Sequence, residues 1–183
     1  AGVPVFCADV KGDLSGICIP GSTDHKLHDK FVARANKIGL GEYEYTSAPT
    51  VFWDVFGEKG HPIRTTISEM GPLLLSRLMD LTDAQEGVLN IAFEYADDNG
   101  LLLLDLKDLR KLLVHMSDKE VRDELSKEYG NIASASLGAV QRNLLVMERE
   151  GADFFFGEPA LELSDMMRTN TDGRGIVNVL DAT

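Results

Sequence analysis

The sequence predicts an α/β fold, a sheet interrupted by a largely helical insertion. Three observations predict it. Runs rich in β-branched and aromatic residues stand near both ends and at residues 50–56, the pattern of sheet strands. Residues 71–151 instead repeat apolar residues at helical spacing, between glycines 71 and 151. At 183 residues, with 44% hydrophobic and 26% charged residues, the chain has the composition of a globular protein able to bury a core.

In chain order, Val3 to Ala8 reads as a buried parallel strand that runs out into Asp9, Lys11, Gly12 and Asp13. Leu27, Phe31, Ala35 and Ile38 make a helical stripe behind Ser22 to Asp24 as caps, ended by Gly39 and Gly41. Thr50 to Phe56 reads as an edge strand between Pro49 and Gly57, and Ile63 to Ile67 as a short extended piece. Pro72 suits a first helical turn. Thr82 with Gln85, and Ser117 with Glu120, have capping-box spacing, and a long helix spans 133–150. Ser164 is a candidate cap for a short turn, and Asp172-Gly173 leads into a closing strand at 175–180. The division is a partial sheet region at 1–70, a helical insertion at 71–151, and a loop with a return strand at 152–183. No internal repeat stands out. Strand-like segments at both ends suggest a piece of a longer chain, because helices usually cover the faces of a parallel sheet.

Charge and motifs narrow the function. The net charge of −12 disfavours direct gripping of nucleic acid by this segment. The longest apolar run, Leu101 to Leu104, is far too short to span a bilayer, so no membrane role is expected. Two cysteines, Cys7 and Cys18, make no disulfide framework and suit a reducing, cytoplasmic setting. Asp97-Asp98-Asn99-Gly100 fails as a calcium loop, since Tyr95 and Leu106 would fall where the site needs Asp and Glu. Cys18, His25 and His28 lack the CxxC or HExxH context of zinc, so no metal site is expected. His61, His115, Ser15 and Ser68 lack a recognisable nucleophile–base arrangement, and no catalytic residue is assigned. Asp9, Lys11, Gly12 and Asp13 are the most chemical group, because strand C-termini surround the ligand crevice of open α/β sheets. Neither GxxxxGK[ST] nor GxGxxG occurs.

Long stretches of the chain resemble one family. They are Val3 to Gly16, Phe52 to Arg64, Met70 to Arg77, Thr82 to Gly87, Ala96 to Arg110, Tyr129 to Ile132 and Phe155 to Pro159. Together they resemble the bacterial HerA-like ATPases, also named helicase HerA-like, a poorly characterised group. The resemblance implies a partial RecA-like P-loop NTPase sheet, covering the region between the Walker A and Walker B motifs. It implies ATP and magnesium as cofactors of the intact protein, none in this segment, and a hexameric ring as a possible homo-oligomer. Asp9, Lys11, Gly12 and Asp13 would lie beside the nucleotide. The alternative is a helical protein-interaction module without catalysis.

Overall fold

The computed structural model describes residues 2–183. It is an α/β protein whose chain divides into two compact units. The first runs from the start of the described chain to His61 and resumes over Glu162–Thr183; the second is Pro62–Leu161.

The first unit holds a sheet of order β1-β4-β2-β3, formed by β1 (Val5–Asp9), β2 (Thr50–Asp54), β3 (His61–Pro62) and β4 (Val177–Asp181). The closing strand is central and parallel to both neighbours, pairing Val177 with Val5 on one side and with Thr50 on the other. The strand at 50–54 is therefore not an edge. The edges are β3 and β1, and β1 is parallel to β4 as expected but not buried: Val5 and Phe6 remain about half exposed, at 48% and 49%. An edge strand has a neighbour on one side only, so apolar residues alone do not bury it. Val179 and Ala35 are the buried apolar residues of this unit, joined by the buried polar Asp9, Asp54 and Asn178.

Helix α1 spans His28–Lys37, with Leu27 at its N-cap and no side-chain cap. Ser22 instead accepts from the Asp24 N–H in a turn upstream, because the chain makes two further turns before the helix begins. Near the closing strand, α7 (Leu163–Met166) has Glu162 at its N-cap, and Ser164 donates to the Glu162 carboxylate.

The second unit carries the continuous apolar core. Its helices are α2 (Ile67–Leu78), α3 (Asp83–Asp98), α4 (Leu106–His115), α5 (Lys119–Glu128) and α6 (Ser134–Arg149). Helix α2 begins one turn before Pro72, within the segment expected to be extended. Thr66 accepts from the Glu69 N–H, Glu69 accepts from that of Thr66, and the helix breaks at Gly71 (φ 70°, ψ 164°) before resuming at the proline. The expected box at Thr82 has Gln85 accepting from the Thr82 N–H at 3.1 Å. The cap of α5 lies one residue later than spacing suggests: Asp118 accepts from Glu120 and Val121, whereas Ser117 donates back to the Leu113 carbonyl. An ionised Asp outcompetes Ser there because it also complements the helix dipole. Leu75, Leu89, Leu109, Leu113, Val140 and Leu144 are fully buried in the core these helices share. Among the described residues, no helix is long and apolar enough to cross a membrane.

Candidate functional site at the strand ends

Three parallel strands of the first unit each end in an aspartate. Asp9 is paired in register with Asp181, and Asp54 follows Trp53, which is paired with Leu180. The three carboxylates thus leave the sheet at one level, on its C-terminal edge, where open α/β sheets bind ligands. A cavity of about 330 Å³ lies there, lined by Asp9, Gly12, Ser15 and Phe52 and by Lys59, Val179, Asp181 and Thr183.

Two of these aspartates do the same structural work. Asp9 accepts the N–H groups of Lys11, Gly12 and Asp13 on one oxygen (3.3, 2.8 and 3.2 Å) and that of Leu14 on the other (3.0 Å). Asp54 accepts from Phe56 on one oxygen (2.9 Å) and from Glu58 and Lys59 on the other (2.7 and 2.8 Å). The segments are Asp9-Val10-Lys11-Gly12-Asp13 and Asp54-Val55-Phe56-Gly57-Glu58, a pentapeptide echo too short to stand out as a repeat. Each loop turns back on its own carboxylate through a left-handed glycine, Gly12 at φ 72° and Gly57 at φ 69°, a conformation that disfavours a Cβ.

Of the residues expected beside a ligand, Asp9 and Gly12 line the cavity. Lys11 and Asp13 have exposed side chains and turn their N–H groups to Asp9. Sequence reasoning missed Asp54, Lys59, Asp181 and Thr183. Lys59 bridges to Asp181 at 2.9 Å and donates to Thr183 at 3.0 Å, while the Thr183 hydroxyl and N–H both donate to Asp181.

Electrostatics follow from these contacts. The Thr183 hydroxyl, then Lys59, hold the Asp181 carboxyl down to about 2. The Lys59 ammonium is raised in turn, chiefly by its hydrogen bond to Asp181. The N–H groups of Lys59 and Phe56 lower Asp54 against partial burial and the nearby Asp181 charge. Desolvation pushes Asp9 up, but four N–H donors outweigh it and the net shift is down. Carboxyls lowered on folding contribute stability that is present above their unfolded value near ~4 and lost as pH falls through the folded one. Acid unfolding of this unit, followed by fluorescence of the single Trp53, is therefore expected between about pH 4 and 2. Asp181→Asn should flatten that pH dependence. A midpoint above pH 5 in the parent chain, or an unchanged profile in the variant, would contradict this account.

By itself this edge does not make a site for a nucleoside triphosphate and its metal. Three carboxylates face one lysine, which is already paired, and the N–H groups of residues 11–14 are turned to Asp9 rather than free for phosphate. Among the described residues, no group of three or more His, Cys, Asp or Glu side chains is placed to hold a metal ion.

A family model described as helicase HerA-like C-terminal matches residues 1–183. No significant match is found among curated proteins or among solved structures. With the match covering its whole length, the chain belongs to the helicase HerA-like C-terminal family.

Proposed function

We propose that this chain is the inter-motif region of a HerA-like P-loop ATPase, an ATP hydrolase of helicase or translocase type, and that it forms one wall of the nucleotide pocket. The observation that supports this is the level row of Asp9, Asp54 and Asp181 at the C-terminal edge of three parallel strands, beside a cavity that Asp9 and Asp181 line. Asp9, Lys11, Gly12 and Asp13 form a loop beside the nucleotide. Asp9 shapes that loop rather than moving a proton, because both its oxygens already accept N–H groups. The intact protein supplies the phosphate cradle, whose backbone N–H groups and lysine neutralise the phosphates, and the acidic strand that positions magnesium. It works in the cytoplasm, with a hexameric ring as its assembly, and nucleic-acid contacts fall to parts of it less acidic than this one.

On this reading the chain by itself neither hydrolyses ATP nor binds it tightly. Calorimetric titration with Mg-ATP is expected to show no saturable heat at micromolar ligand. Micromolar affinity would overturn the proposal, because it would require a phosphate site built from these residues alone.

A further inference from the structure

The first unit holds a second cavity, of about 470 Å³, that the nucleotide reading does not use and that shares no lining residue with the one beside the aspartates. It is lined by Gly21, Ser22, Asp24, His25, Phe31 and Tyr45. Aromatic rings and a carboxylate thus face one space, in a unit whose buried apolar residues are only Val179 and Ala35 among those described.

The rings are not a core. Phe31 and Tyr43 are 37% and 36% exposed, yet a chain of contacts holds them in place. His25 and Phe31 lie 6.1 Å apart between centroids, Phe31 and Tyr43 6.1 Å, Tyr43 and Tyr45 5.1 Å, and Tyr45 and His28 5.7 Å. The rings on the cavity are also fixed one by one. His25 Nδ1 accepts the Leu27 N–H at 3.3 Å, and the Tyr45 hydroxyl is hydrogen-bonded to His28 Nδ1 at 3.1 Å. The Tyr45 ring lies so close to Gly21 that a Cβ there would run into it, so the glycine makes room for an aromatic wall. Side chains held in this way lose little freedom when a ligand arrives.

The chemistry of the lining selects the ligand. Aromatic faces are electron-rich, and the Asp24 carboxylate has neither an ion pair nor a hydrogen bond among the described residues. Both features call for a cation. Ser22 offers such a cation little, because its hydroxyl already accepts the Asp24 N–H and its carbonyl the His25 N–H. A primary ammonium or a guanidinium would leave N–H groups unmet against these walls, whereas a quaternary ammonium has none to satisfy. A flat ring would instead need two parallel walls about 7 Å apart, twice the contact distance of carbon atoms. His25 and Phe31 are near-parallel, at 5°, but their centroids are only 6.1 Å apart, so no slot opens between them. The other pairs meet at 34°, 42° and 79°. Inclined aromatic faces beside a carboxylate suit a rounded, weakly hydrated cation. We propose that this cavity binds a quaternary ammonium group, carried on a small molecule of choline type or on a trimethylated lysine.

The test titrates the whole chain by calorimetry with choline and with a short peptide bearing one trimethyl-lysine. The controls are the neutral isostere in which carbon replaces the choline nitrogen, ethanolamine, and the unmethylated peptide. Saturable binding of a quaternary ligand is expected, and the tighter of the two identifies the source. The neutral isostere, ethanolamine and the unmethylated peptide should each bind at least about tenfold more weakly than their quaternary counterparts. Tyr45→Leu should weaken binding by about tenfold or more, and Tyr45→Phe, which keeps the ring face, by less than about threefold. Asp24→Asn should weaken it by about threefold or more; Asp24 is exposed in a turn, so this variant keeps its fold whatever Tyr45→Leu does to the loop. Asp165→Asn, outside the cavity, should leave binding unchanged. Absence of saturable binding by either quaternary ligand, equal binding of the neutral isostere, or undiminished binding in Asp24→Asn would each overturn the proposal.

Discussion

Leu109→Ala is expected to lower the stability of the helical unit by about 2–5 kcal/mol. Leu109 lies on α4 with no exposed surface, inside a cluster that also holds Leu89, Leu113, Val140 and Leu144 from three helices. Truncation there removes three buried carbons and leaves a cavity whose walls belong to several helices, so collapse of one neighbour cannot fill it. A domain of ordinary stability holds only about 5–15 kcal/mol, which makes this loss a large share of the whole. The variant should show an earlier urea transition by far-ultraviolet circular dichroism, which the helices dominate. Leu102→Ala is the comparison: Leu102 is 73% exposed, and its truncation should change stability by no more than ~0.5 kcal/mol. Equal shifts in the two variants would mean that the core does not lie where the structure puts it.

The helical unit was the more legible of the two. Stripes such as Leu106, Leu109, Leu112 and Leu113 have the helical period, and each is buried on α4. Caps were harder to read where two candidates stood side by side, as Ser117 and Asp118 do, because spacing alone does not rank an ionised acceptor above a hydroxyl. In the sheet, strand type was readable from Val3 to Ala8 and from residues 50–54, but strand order was not. Which strand lies between which others depends on pairing over more than a hundred residues, and the closing strand took the central place. That long-range register also hid the rim. Asp9 was readable as a strand end, and Asp54 could have been found by the echo of Asp-Val-X-Gly followed by an acid. Asp181 begins no such loop and joins the group only through its register with Asp9. The hydrogen bond from Tyr129 to Asp98 is out of reach of the sequence for the same reason: the two residues lie on different elements, and their meeting is a tertiary event.

Asn178→Leu is expected to destabilise the sheet unit by about 2–3 kcal/mol, although it puts an apolar side chain of similar size into a fully buried position of the central strand. Asn178 has no exposed surface. Its carboxamide oxygen accepts the indole N–H of Trp53 from β2 at 3.0 Å, and its NH₂ donates to the Met166 carbonyl of α7 at 3.0 Å and to the Val5 carbonyl of β1 at 3.4 Å. One side chain therefore joins three elements in a unit whose buried apolar residues are only Val179 and Ala35 among those described. Leucine would strand the indole donor and the Met166 acceptor, and the cost of unmet polar groups exceeds the gain from added apolar surface. A second substitution separates the two terms. Trp53→Phe in the Asn178→Leu background removes the stranded donor and should recover part of the loss, whereas Trp53→Phe alone should destabilise by leaving the Asn178 oxygen unmet. Calorimetric melting of the four chains closes the cycle. Additive losses would show that the hydrogen bond contributes nothing to the unit. A coupling of about 1 kcal/mol or more would show that a polar contact, rather than apolar burial, ties the central strand to its neighbour one residue before the aspartate rim.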